Sequence, residues 1–286
     1  KYDMIISVGQ VVPHEVIGMA NGNKNILVGV GGKDTINKTH FLGAVCNMER
    51  IMGRADNPVR AVCDYAEERY LSDLPIVYVQ TVMGECGNGE FGMAGLFIGR
   101  GRAPFREAAA LSQRLNITRV KTGLKKVVVY LDEREFKSTW LGNKAIYRTR
   151  MAMADGGELV ILGPGVEMFG EDGEIDRLIR RYGYRGTEAT LAAVEREEEL
   201  RENLSAAAHL IHGSSEGRFR IRYAPGKMRR EEIEGVGYEY GDLGELMARY
   251  DPEKMQAGEN EVEGEKVFFI KNPALGLWAV ESAFEV

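Results

Sequence analysis

Short apolar runs of strand length alternate with longer segments in which apolar residues recur at helical spacing, and the alternation persists through most of the chain. This is the pattern of an α/β fold, in which strands feed helices that pack back on the sheet. The runs predict strands over residues 4–8, 25–30, 76–83, 92–99, 126–131, 159–162, 218–223 and 267–270. The Glu-Cys-Gly-Asn-Gly-Glu stretch at 85–90 reads as a hairpin turn, because Asn-Gly supplies the positive φ such turns need.

Helix ends carry their own signals. Asn57 before Pro58 marks a helix to about residue 71, and Pro104 opens another to about 115. Ser138 caps a third, expected to reach 154 and stop at Gly156 and Gly157. Residues 35–52 and 187–202 are also expected to be helical; the charge run at 195–202 is a solvated face. The polar stretch 121–126 is the expected boundary. It divides residues 1–122, expected to be an α/β domain, from 123–286, a second α/β domain. The expected architecture is two lobes of mixed and parallel sheets flanked by helices, with a cleft between them.

Composition narrows the class. A chain of 286 residues with 44% hydrophobic and 28% charged residues is neither disordered nor fibrous, and it can bury a core without disulfides. A net charge of −6 argues against a nucleic-acid partner. The longest apolar runs, at 127–131 and 159–162, are far below a membrane span. Cys46, Cys63 and Cys86 are odd in number and widely spaced, which reads as reduced thiols in a cytoplasmic protein. The chain also enters a strand-like segment almost at once, as if its sheet were completed by a portion that precedes it. Oligomerisation is left open.

The chemistry concentrates early. His14 follows a proline on a loop leaving the first strand, where α/β folds place ligands. Gly18, Gly22, Gly29, Gly31 and Gly32 crowd the next stretch, Lys24 sits among them, and His40 follows in the helix. Tight turns or a closely approaching group call for such glycines. Phosphate-loop chemistry fails on the letters: Leu27 stands where the first glycine should be and Asp34 where Ser or Thr should follow Gly32-Lys33. Asp34 also spoils a dinucleotide fingerprint begun by Gly29 and Gly31, and Met168 spoils one begun by Gly163 and Gly165. A nucleotide-dependent α/β enzyme is therefore the weaker alternative. His209 and His212, three apart, read as the polar end of an alanine-rich helix before Gly213 rather than as a metal pair.

His14, Gly18, Lys24 and His40 together resemble the motif of the nickel-pincer lactate racemase family: a Pro-His, a glycine four residues on, a lysine ten after the histidine and a histidine sixteen after the lysine. Wider wording, at 48–54, 139–150 and 209–217, is similar to the family's D-mannonate (D-gluconate 2-) epimerase branch. The resemblance implies an epimerase or racemase of a 2-hydroxy acid, here a sugar acid at C2. It implies a nickel-pincer nucleotide, Ni pyridinium-3,5-bisthiocarboxylic acid mononucleotide, bound covalently at Lys24 with room left by Gly18 and Gly22. His40 would be the nickel ligand. His14 would be a general acid/base, taking the hydroxyl proton while hydride leaves C2.

The family draws a second histidine from an earlier part of the chain, so the resemblance also implies that this polypeptide is a fragment lacking an N-terminal portion and is impaired alone. Lys144 matches the family's substrate lysine, but Leu141 stands in place of its glutamine, which favours a longer polyhydroxy acid over lactate. Asn143, Tyr147 and Arg148 would bind its hydroxyls, with Ser214, Ser215 and Glu216 as further candidates. A non-catalytic sugar-acid-binding fragment is the remaining alternative.

Overall fold

The structure, a computed structural model, describes residues 2–85, 90–274 and 276–284. It divides into two compact units, one running to Thr118 with Leu277, the other Arg119–Ala274 with Trp278 and the residues after it.

The first unit opens with β1 (Ile5–Gln10), the two-residue strands β2 (Pro13–His14) and β3 (Gly18–Met19), and a π-helical turn at Asn25–Gly29. Helices α1 (Lys33–Val45), α2 (Met48–Ile51) and α3 (Pro58–Tyr70) follow, then β4 (Ile76–Glu85), β5 (Phe91–Gly99) and α4 (Ala103–Leu115). β1 pairs in parallel with β4, Ile5 opposite Ile76, and β4 pairs antiparallel with β5 out to Glu85 opposite Phe91. The expected hairpin turn between them falls on residues 86–89, outside the described residues.

Along β4, Ile76, Tyr78, Gln80 and Val82 are buried while their neighbours are half-buried, the two-residue period of a sheet with one packed face. Two apolar clusters fill the unit. Val11, Met19 and Val82 pack with Phe105, Ala108 and Ala109 of α4. Val16, Ile17 and Val28 pack with Ile51, Val59 and Cys63. Ile6, Val8, Leu96 and Ile98 are exposed.

The second unit contains β7 (Leu124–Tyr130), α5 (Thr139–Gly142), α6 (Lys144–Thr149), β8 (Met153–Gly163), α7 (Gly173–Tyr182), α8 (Thr187–Arg196), α9 (Glu198–Glu202) and α10 (Leu204–His212). Then come β9 (Arg220–Pro225), α11 (Arg230–Gly235), β10 (Glu239–Tyr240), α12 (Leu243–Arg249), β11 (Gly258–Val262) and β12 (Glu265–Ile270). The short strands β6 (Ile117–Val120) and β13 (Leu277–Val280) pair with each other. The main sheet runs β10-β9-β8-β7-β12-β11, parallel except for the antiparallel edge strand β11. Val127–Val129 of β7 and Leu159–Leu162 of β8 are buried throughout, as expected of parallel strands covered on both faces.

Four sequence expectations are corrected. The run at 25–30 is no strand: Asn21 and Gly22 turn the chain at positive φ, and Val30 N–H then bonds the Asn25 carbonyl in a π turn. The helix expected at 35–52 breaks at Asn47, whose φ of 65° is left-handed. The helix opened by Ser138 ends at Thr149, because residues from Met153 onward join the sheet as β8, with Met153 opposite Leu124. The helix expected at 187–202 is interrupted at Glu197, which adopts extended backbone.

Candidate active site

His14 and Gly18 face each other across the β2–β3 hairpin. His14 is thus on a paired strand and not on an open loop. The Val16 backbone N–H donates to His14 Nδ1 at 3.1 Å, which orients the ring, and the opposite ring nitrogen, Nε2, lies 2.8 Å from Lys24 Nζ. The Glu15 carboxylate stands 3.7 Å from His14 Nδ1. Gly18, at φ 78°, could carry no side chain: a Cβ there would lie 2.0 Å from the Arg54 carbonyl oxygen. At Gly22, φ 64°, a Cβ would meet the Phe105 ring at 3.0 Å. Backbone and packing therefore already account for both glycines.

Lys24 is held by what surrounds its turn. Asn21 donates its side-chain amide to the Gly9 carbonyl, tying the turn to the end of β1. Beneath the turn lies Arg60 of α3, only 1% exposed. Its Nη2 donates to the Met19 carbonyl at 2.6 Å, and its Nη1 donates to the Asn21 carbonyl at 3.2 Å and to Asn23 Oδ1 at 2.6 Å. Asn23 in turn donates to Asp64 Oδ1 at 2.7 Å, and the guanidinium lies 4.1 Å over the Phe105 ring. Burial lowers Arg60 to about 10, while the acid groups around it pull the other way.

Burial also pushes the Lys24 amine below the usual lysine range, and the positive charge of Arg60 adds to the effect against the opposing field of Glu15. His40, on α1, donates from Nδ1 to the Ile36 carbonyl at 2.7 Å. That bond places the proton of the neutral ring on Nδ1 and leaves the Nε2 lone pair for a ligand. Burial lowers His40 as well, with Lys24 acting in the same direction, so the neutral, ligand-competent ring is favoured.

The structure thus brings His14 and Lys24 into direct contact and sets His40 within the electrostatic reach of Lys24 and Glu15. Among the described residues no three His, Cys, Asp or Glu side chains gather to hold a metal. Sequence reasoning missed Arg60, Asn21, Asn23 and Glu15. The signal for Arg60 was present: a charged residue among the inward positions Val59 and Cys63 of an amphipathic helix.

In the second unit, Asn143 joins α5 to α6 and is fully buried, donating from Nδ2 to the Tyr238 hydroxyl at 3.0 Å. The His209 ring lies against Trp140, centroids 4.3 Å apart and planes tilted by 32°, and its Nε2 lies 3.1 Å from the Tyr184 hydroxyl. His212 sits edge-on to Tyr147. Arg148 is 4% exposed. Lys144 is half-buried with Nζ 5.7 Å over the Phe136 ring. Glu216 caps α8 by accepting from Thr187 N–H at 3.0 Å, and Ser214 Oγ accepts from Glu216 N–H. The structure therefore gives Asn143, Ser214 and Glu216 internal partners within this unit.

Residues 1–53, which contain His14, Lys24 and His40, match the family model described as the lactate racemase N-terminal domain. A comparison with curated proteins gives no match. Among solved structures, a structural-genomics protein from Thermotoga maritima superposes with a TM-score of 0.79 at 20% identity, covering 98% of this chain and 67% of that one. The lactate racemase apoprotein from Thermoanaerobacterium thermosaccharolyticum superposes at 0.72 and 15% identity, covering 96% of this chain and 63% of that one. The chain therefore shares the fold of that racemase while spanning 63% of the racemase's length, and the match at 1–53 supports the racemase family.

Proposed function

We propose that this chain is the site-bearing part of a 2-hydroxy-acid racemase or epimerase that carries a nickel-pincer nucleotide on Lys24 and acts on a sugar acid at C2, D-mannonate/D-gluconate being the pair favoured. The observation that carries the reading is the His14–Lys24–His40 constellation, inside the segment that matches the lactate racemase N-terminal domain. The donor set fits such a group. Lys24 offers an amine biased toward the free base that amide formation requires. His40 offers one imidazole lone pair, a donor suited to nickel(II), and its tautomer is set by Ile36. When bound, the nickel-pincer group supplies a two-electron acceptor for the C2 hydrogen.

His14 would move the substrate's hydroxyl proton at Nε2. Nδ1 has a partner in either tautomer: the Val16 N–H when it is bare, and the Glu15 carboxylate, 3.7 Å away, when it carries the proton. Only the second tautomer leaves Nε2 bare to take the hydroxyl proton, and Glu15 then steadies the imidazolium that forms. On the resemblance alone, Lys144 is carried forward as the cation for the substrate carboxylate, with Asn143 and Arg148 as further candidates in the second unit. Leu141 in place of a glutamine supports a polyhydroxy acid over lactate.

The test is D-mannonate incubated with the nickel-loaded full-length protein in deuterium oxide, followed by proton NMR. The reading expects D-gluconate with its C2 hydrogen retained. Deuterium at C2, or turnover unaffected by Lys24→Ala, would overturn it. His14→Ala should reduce kcat by about a hundredfold or more, the scale of a lost general base.

A further inference from the structure

The contact between His14 and Lys24 says which of the two holds the proton. Val16 N–H points at His14 Nδ1, so that nitrogen is the acceptor and the neutral ring carries its hydrogen on Nε2. That N–H faces Lys24 Nζ at 2.8 Å. An ammonium has three donors and no lone pair, so it would confront a second donor there. A free amine accepts the bond. The charged groups acting on Lys24 divide in sign: Arg60 from α3 disfavours a second positive charge, while Glu15 and the Cys63 thiol favour one. His40, neutral by its own surroundings, adds no charge.

We infer that His14, its tautomer fixed by the Val16 amide, is a positioning residue that presents Lys24 as an uncharged nucleophile, so that the chain acylates itself at this lysine without a separate protein base. The inference rests on the reading of Lys24 as an anchor and adds how the anchor is made ready. The co-reactant is an activated carboxyl or thiocarboxyl group. At encounter the Nζ lone pair leaves the Nε2–H and attacks the acyl carbon. The new C–N bond forms, the bond to the leaving group breaks with its electron pair, and one Nζ proton is lost to water. Nothing is oxidised or reduced. Once Lys24 is an amide its nitrogen lone pair is delocalised and no longer holds the Nε2 hydrogen, so the ring can pass to the Nδ1–H tautomer facing Glu15 and offer Nε2 to the substrate.

The experiment uses protein produced in a host without the cofactor's biosynthesis, so that Lys24 is free. A water-soluble acetate ester of N-hydroxysuccinimide is applied across pH 6–10, and acetylation of the Lys24 and the exposed Lys38 peptides is quantified by mass spectrometry. The midpoint of each pH profile reports the amine's protonation, which limited access alone does not move. Lys24 should titrate about one unit or more below Lys38, which is a tenfold or greater gain in free base at neutral pH. His14→Ala should move the Lys24 midpoint up toward Lys38. His14→Gln, whose side-chain amide can still donate, should keep most of the difference.

Coincident Lys24 and Lys38 midpoints in the wild type, an unchanged midpoint in His14→Ala, or a His14→Gln profile matching His14→Ala would each overturn the inference. Circular dichroism of the variants checks that the fold is kept, and Val16→Ala, which retains the backbone N–H, should leave the midpoint unchanged. A lowered midpoint in a protein that never gains an adduct would instead sink the cofactor reading, leaving only the presentation of Lys24 as a free amine by His14.

Discussion

Arg60 takes all three of its acceptors from the turn that carries Lys24, and it does so from a position with 1% exposure. Removing it strands two carbonyls and the Asn23 amide oxygen without a donor, each costing about 1–3 kcal/mol when buried. Arg60→Met should therefore cost about 3 kcal/mol or more, read as a lower urea midpoint at unchanged slope. His40 gives a pH prediction whose sign follows from its lowered value. A folded state that resists protonation loses stability as pH falls below the unfolded histidine value near 6.5. Urea midpoints measured from pH 8 to 5 should fall less steeply in His40→Gln than in the wild type. His14, Lys24 and His40 were legible as letters and spacing. Glu15 was not, because a carboxylate next to a histidine in sequence says nothing about which ring nitrogen it faces.

The β2–β3 hairpin, the π turn and α3 are short elements whose fit depends on backbone crossings. Gly18 lets the hairpin lie against the Arg54 carbonyl, and Asn57 reinforces that crossing by donating to the Ile17 and Arg54 carbonyls while its own Oδ1 caps α3. Gly18→Ala should lose about 2–4 kcal/mol, combining left-handed strain with a backbone clash, and thermal unfolding of the variant checks it. Helix starts were readable because Asn57, Pro58 and Ser138 act locally. The π turn was not, since Ile26-Leu27-Val28 has the composition of a strand and only the turn at Asn21 and Gly22 keeps it from pairing. The helix from Ser138 was misjudged for a similar reason: its last residues are claimed by parallel pairing with β7, a partner distant in sequence.

At the scale of the molecule, the alternation of apolar runs and helical segments carried the α/β class, and the six-stranded sheet shows why: β7 and β8 are buried on both faces and so read as unbroken apolar runs. Burial of the 143–148 segment was not legible, because Asn143, Lys144 and Arg148 have the letters of a solvated helix. No helix among the described residues is long and apolar enough to cross a membrane. The central claim is that the amine at position 24 bears a covalent group whose metal is bound through His40. Peptide-resolved intact mass spectrometry with nickel analysis tests it most directly, on protein made in a host that loads an authentic lactate racemase in parallel. The account predicts an adduct confined to the Lys24 peptide with about one nickel per chain, both absent in Lys24→Ala, and nickel alone diminished in His40→Ala. A fully unmodified Lys24 and no nickel, while the parallel racemase is loaded, would contradict it.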